Sequence, residues 1–192
     1  MSRAEIQREK LLNAMIFFTK NTRSCHKLKL FKLLCLLDFE IFQRTGKTTT
    51  GLSYFAWPMG PVPKDLFEEL KAPHADMTSA LLIAPMAELD PDFGGTALVF
   101  KPRRAFDDGC FTPRELAAMT HLAEVYFTAT GKQMTDVTHA RGTLWHQIYE
   151  IEKRPQALIP FERALDGKPN SVTKEQAEQI AEEERELAAL FK

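Results

Sequence analysis

The sequence predicts an α+β protein that is mainly α: a single helical domain around a buried central helix, with a small antiparallel β-sheet or hairpin. Three observations lead there. From about Lys27 to Arg44 the apolar residues Leu28, Leu30, Phe31, Leu33, Leu34, Leu36, Leu37, Phe39, Ile41 and Phe42 cover nearly every side of one helix, and such a helix belongs inside a core. Further stretches with helical periodicity lie before and after it. Two short apolar runs, Leu81-Leu82-Ile83 and Ala97-Leu98-Val99-Phe100, flank the turn-rich segment Asp90–Gly95 and read as a hairpin with a long loop.

The elements follow in order. Ile6, Leu12, Met15, Ile16 and Phe18 give a first helix from about Glu5 to Lys20, broken by Asn21–Ser24. Gly46 stops the central helix. Gly51–Trp57 reads as a short extended segment, and Pro58, Gly60, Pro61 and Pro63 force a tight connection because proline fixes φ and removes a donor. Pro63 opens a short third helix to Leu70. Thr112-Pro113-Arg114-Glu115 combines a cap, an N1 proline and a capping box, starting a helix that runs to about Thr128, before Gly131. Shorter helices follow near Asp136–Ala140 and Leu144–Lys153. A terminal helix from about 173 to 191, capped by Thr173 with Gln176 three residues on, carries Ala177, Ile180, Ala181, Leu187 and Leu190 as an apolar stripe. That stripe needs a surface, so the whole of 1–192 is read as one domain.

Composition bounds the function. The chain has 192 residues, 44% hydrophobic and 27% charged, ordinary globular values. Its net charge of -1 provides no global field for nucleic acid or acidic membranes. Cys25, Cys35 and Cys110 are odd in number and lack C-x-x-C spacing, which suits a reducing cytosol. No signal peptide opens the sequence and no apolar run could span a bilayer. A cytoplasmic protein that does not engage the membrane is expected. Charge is uneven, however. The first 71 residues hold 12 Lys/Arg against 7 Asp/Glu, and the last 22 hold 3 against 6. The basic excess reads either as a patch for phosphate or an acidic partner, or as a solvated edge with salt bridges to the acidic tail; the second is the ordinary fate of charge runs.

Catalytic signatures are missing. There is no phosphate-binding glycine loop, no nucleophile elbow and no H-E-x-x-H. His139 and His146 are two helical turns apart, but Gly142 breaks the helix between them, and no further ligands come near in sequence; no metal site and no cofactor is expected. Asp90, Asp92, Asp107 and Asp108 sit in turns for backbone reasons. Asp38, inside the apolar helix, needs a partner if buried, and Lys29 or Lys32, which share a face, are the candidates. Tyr54, Phe55, Trp57, Met59, Gly60 and Pro61 form the densest aromatic and proline cluster. It suits a core or an exposed, rigid, partner-binding loop.

Leu28-Lys29-Leu30-Phe31-Lys32-Leu33-Leu34-Cys35, Asp38-Phe39, Gly46, Gly51, Tyr54, Ala56-Trp57 and Gly60-Pro61-Val62-Pro63 together resemble the Panacea domain of SocA-like antitoxins. Thr138-His139 and Trp145 resemble the family's later T-H…P-W element. The resemblance covers about residues 10–150. Cys35 stands where the family usually has Tyr, Phe31 where Gln is frequent, and Leu144 where Pro precedes Trp145. The resemblance implies one member of a type II toxin–antitoxin pair, found in bacteria and their phages, which neutralises a toxin by direct contact. It carries no catalytic residues. By position Lys29, Lys32, Asp38 and His139 are the motif's polar residues; the aromatic and proline density of the Tyr54–Pro63 loop makes Tyr54, Trp57, Met59, Gly60 and Pro61 the expected partner contacts. A DNA-binding repressor of its own operon, or an adaptor that hands the toxin to a protease, are the alternatives. An enzyme is not expected.

Overall fold

The computed structural model describes residues 2–89, 96–165, 167 and 170–190. Its described elements are helices α1 (Arg3–Asn21) and α2 (Lys27–Thr45), strands β1 (Tyr54–Trp57) and β2 (Gly60–Pro63), helices α3 (Lys64–Glu69) and α4 (Ala75–Ala80), strands β3 (Leu81–Leu89) and β4 (Thr96–Pro102), and helices α5 (Pro113–Val125), α6 (Gly131–His139) and α7 (Lys174–Leu190). A π-helical segment, His146–Ile151, and a 3-10 turn, Phe161–Ala164, lie between α6 and α7. The two sheets are two-stranded and antiparallel. The fold is therefore α+β and mainly α.

Helix α2 is the centre. Leu30, Phe31, Leu33, Leu34 and Leu37 have no exposed surface, because α1, α5, α6, β2 and β4 pack around them. Burying each such side chain contributes roughly 1.5–3 kcal/mol, so this one helix anchors the core. Gly46 ends it in the left-handed region, at φ 68°, and its N–H donates to the Phe42 carbonyl at 2.8 Å. Capping boxes start α1 at Ser2/Glu5, α5 at Thr112/Glu115 and α6 at Thr130/Gln133.

Two regions differ from the sequence reading. Gly131 does not end a helix: it is the first residue of α6, because Thr130 and Gln133 cap that helix three residues apart. The prolines after Trp57 do not make a loop. Pro61 and Pro63 lie in β2, paired with Ala56 and Tyr54, and only Pro58-Met59 turn the chain. Strand β1 fills its other edge with residues 156–159: Ala56 and Ile159 N–H groups donate to the Ala157 and Tyr54 carbonyls at 2.9 and 2.8 Å. The second hairpin forms where the apolar runs place it, with Ile83 opposite Phe100. Its Asp90–Gly95 loop, including Asp90 and Asp92, lies outside the described residues.

Helix α7 lies against the body. Val172 N–H donates to the Gln43 carbonyl at 2.8 Å just before it begins, and Ala177 is buried. Among the described residues no helix is long and apolar enough to cross a membrane.

Candidate functional site

Three of the buried polar residues of α2, Lys29, Lys32 and Asp38, each hold a different connection. Lys29 Nζ donates to the Arg23 and Phe127 carbonyls at 2.9 and 3.1 Å, tying the α1–α2 loop to the end of α5. Burial holds its pKa below the usual lysine value. Lys32 Nζ donates to the Pro61 carbonyl at 2.8 Å and so grips β2. Asp38 is wholly buried. Its carboxylate accepts from the Thr49 and Thr50 N–H groups at 2.8 Å each, from the Thr50 hydroxyl, and from the Tyr54 hydroxyl at 2.8 Å.

This corrects the expected pairing: Asp38 is held by backbone and hydroxyl donors of the Thr49–Tyr54 segment, not by Lys29 or Lys32. The reason is rotational. Lys29 and Lys32 project toward the Arg23/Phe127 side and the β2 side, while Asp38, six residues beyond Lys32, faces the chain leaving the helix. Burial without a cation pushes the Asp38 pKa up to about 6, although all four donors act to lower it.

The Lys32 and Asp38 connections converge on the β1–β2 hairpin. A methyl group on Gly60 would stand 2.6 Å from Lys32 Nζ, 2.9 Å from Thr138 Oγ1 and 3.1 Å from His139 Nε2, and Gly60 has φ 97°. Only glycine fits there, and the three side chains clamp the turn from α2 and α6. From the other side Trp145 Nε1 donates to the Trp57 carbonyl at 2.7 Å. The His139 ring stacks on Trp145 at 3.5 Å with 2° between planes, and Trp145 stacks on Tyr149 at 4.7 Å. His139 Nε2 is buried with no hydrogen-bond partner. Burial, and then the Lys32 ammonium, hold the His139 pKa down at about 4.

The expected contact cluster therefore divides. Tyr54 has no exposed surface, and Gly60 and Pro61 are also buried, so these three are framework and not surface. Trp57 and Met59 are half-buried and Pro58 is exposed at the tip. Phe55 shares the outer face of β1 with Trp57, whose ring meets Phe67 edge-on at 5.0 Å. Lys27 and Lys71 lie over the Phe67 ring and Lys64 over Phe55, at 5.2, 5.0 and 5.9 Å. Alongside the clamp a cleft of about 530 Å³ opens between α2 and the Val137–Gln147 stretch, walled by Leu36, Phe39, Pro61, Trp145 and Ile159.

Groups of metal-ligating type give little. His139 and His146 are separated by the break at Gly142, φ 88°. Glu69, His74 and Asp76 come within reach of one another. Their carboxylates, however, are taken up by Arg8, which donates to both Glu69 oxygens at 2.8 and 2.5 Å and to both Asp76 oxygens at 2.9 and 2.7 Å.

A family model described as antitoxin SocA-like, Panacea domain, matches residues 30–146, more than half of the chain. The chain belongs to this family. The match begins inside α2 and ends just beyond Trp145, so the Panacea domain spans both halves of the clamp around the hairpin. No curated protein and no solved structure matches the chain. Within this match Lys32, Asp38 and Gly60 are buried and hold the fold together. What the sequence reading missed are Thr49 and Thr50, whose hydrogen bonds hold Asp38; hydroxyl residues between Gly46 and Gly51 were their one visible sign.

Proposed function

We propose that this protein is an antitoxin that neutralises a cognate protein toxin by direct, stoichiometric contact, without catalysis and without a cofactor. Membership of the SocA-like family carries this reading. The geometry supports a contact surface on the outer face of the first hairpin, around Phe55, Trp57 and Met59. Clamping by Lys32, Thr138, His139 and Trp145 makes that face rigid before a partner arrives, which lowers the entropic cost of binding.

The DNA-binding reading finds less support. Much of the basic excess of the first 71 residues is engaged internally: Arg8 by Glu69 and Asp76, Lys10 by Glu115, and Lys27, Lys29 and Lys32 are buried. Little of it is left as a continuous phosphate-binding stripe.

Co-expression with the product of the neighbouring gene tests the proposal. Restored growth and a co-purifying complex are the expected result; a toxic neighbour that is neither bound nor relieved would overturn it. The surface has its own test. The double variant W57A/M59A is expected to weaken the complex by roughly a hundred-fold, the loss of an aromatic anchor, while its circular dichroism stays native. Unchanged affinity in the folded variant would move the interface elsewhere.

A further inference from the structure

A second cleft of about 540 Å³ lies between the first turn of α1, the chain leaving α2 and the first turn of α5, away from the hairpin clamp. Arg3, Lys10, Lys47 and Arg114 line it, with Glu115 and Glu184 as its carboxylates. Two helix N-termini border it, and their partial positive charges add to the field of the side chains. Lys10 and Glu115 form a largely buried pair at 2.7 Å, so Arg3, Lys47 and Arg114 are the cations that face outward. Ile6, Ile41 and Pro113 supply apolar wall.

Among the described residues one carboxylate, from the far end of the chain, answers two of those outward cations. Glu184 of α7 pairs with Arg3 and, at 3.1 Å, with Lys47. The rest of α7 is held by a single stripe. Ala177 is buried; Ile180, Ala181 and Glu184 are half-buried; Leu187, the next residue of the stripe, is 60% exposed. The stripe sits on Gly46, where a methyl group would stand 3.1 Å from Ile180 Cδ1 and 3.3 Å from Ala177 Cα. The remaining carboxylates of the helix, Glu175, Glu178, Glu182, Glu183 and Glu186, are exposed.

We propose that this cleft is a docking site for an acidic helix, and that α7 is its resident and displaceable occupant. The partner it fits is a protein helix with a small residue to meet Gly46 and a carboxylate two turns further on, the pattern by which Ala177 and Glu184 engage it. Charge complementarity selects that chemistry: with Glu184 withdrawn the cleft keeps four cations and one carboxylate. Ion pairs whose cations stand about half in solvent hold weakly and are screened by salt, so α7 can exchange with such a partner while the core stays folded. This inference does not rest on the hairpin face or on the toxin reading.

Hydrogen exchange on the full chain, with a labelled peptide of residues 171–190 added in trans, tests it. In the wild-type protein the α7 amides should exchange far faster than those of α2, and faster again at high salt. In the full-length E184K variant, which sets a lysine against Arg3 and Lys47, α7 should open further and the peptide should bind. Adding R3E and K47E should weaken that binding by at least roughly ten-fold. Exchange in α7 as slow as in α2 at both salt levels, no peptide binding to E184K, or equal binding to both variants would overturn the proposal. If E184K does not fold, the salt dependence of wild-type exchange decides alone.

Discussion

Helices α2 and α7 have similar lengths, 19 and 17 residues, and opposite circumstances. Helix α2 carries four charged side chains inside the protein, Lys27, Lys29, Lys32 and Asp38, and each has partners there. Helix α7 carries most of its charge in solvent and touches the body along one stripe. The difference teaches where charge is structural. A buried carboxylate or ammonium must be satisfied, so it dictates the path of whatever chain supplies the partner. An exposed ion pair dictates little, because water is an equally good partner for both charges.

The comparison breaks most sharply at Asp38. Asp38→Ala leaves two N–H groups and two hydroxyls without their buried acceptor, and a loss on the order of 4 kcal/mol is expected in urea denaturation. A loss below that of an ordinary surface substitution would mean that water enters and replaces the carboxylate.

Gly46 belongs to both helices. Gly46→Ala strains a left-handed cap and presses on Ile180 and Ala177, so a loss of roughly 1–2 kcal/mol is expected. It should be accompanied by faster hydrogen exchange in α7. Destabilisation without loosening of α7 would place the whole effect in the cap.

Acidity separates the buried groups from one another. The Asp38 pKa is raised to about 6 in the folded chain, so its contribution to stability is fully present below its unfolded value near 4 and is lost as pH rises through 6. The His139 pKa is lowered to about 4, so its contribution is present above its unfolded value near 6.5 and is lost as pH falls through 4. In the wild type the two oppose each other between pH 7 and 5. Urea midpoints at those two values should therefore rise on acidification in H139Q and fall in D38N, and parallel behaviour of the two variants would contradict both assignments.

At the exposed end, Glu184→Gln removes two surface ion pairs and should cost less than about 1 kcal/mol of global stability. A larger loss in the denaturation midpoint would make α7 part of the core and remove the contrast with α2.

Legibility followed the same division. The central helix, its glycine stop, the Thr112 capping box, the β3–β4 hairpin and the acidic tail helix were readable, because each depends on residues adjacent in sequence or spaced by one helical period. The start of α6 was readable too, in Thr130 and Gln133, but Gly131 drew the eye as a stop. The clamp was only half readable. Lys32, His139 and Gly60 were each marked by resemblance to the Panacea pattern, yet nothing in their spacing shows that they meet. Tyr54, Gly60 and Pro61, expected as partner contacts in a cluster that suits a core or a surface equally, are interior.

What was written in the chain, then, was which segments must be helices and which helix must be inside: periodicity, caps and hydrophobic content act over a few residues and need no distant partner. Folding alone settled which donors meet Asp38, which face of the hairpin remains outside, and that Glu184 reaches Arg3 and Lys47 across the length of the sequence. Those contacts join residues from 11 to more than a hundred positions apart, and a polar group's choice among several capable partners depends on the rotation and packing of helices that no local pattern encodes.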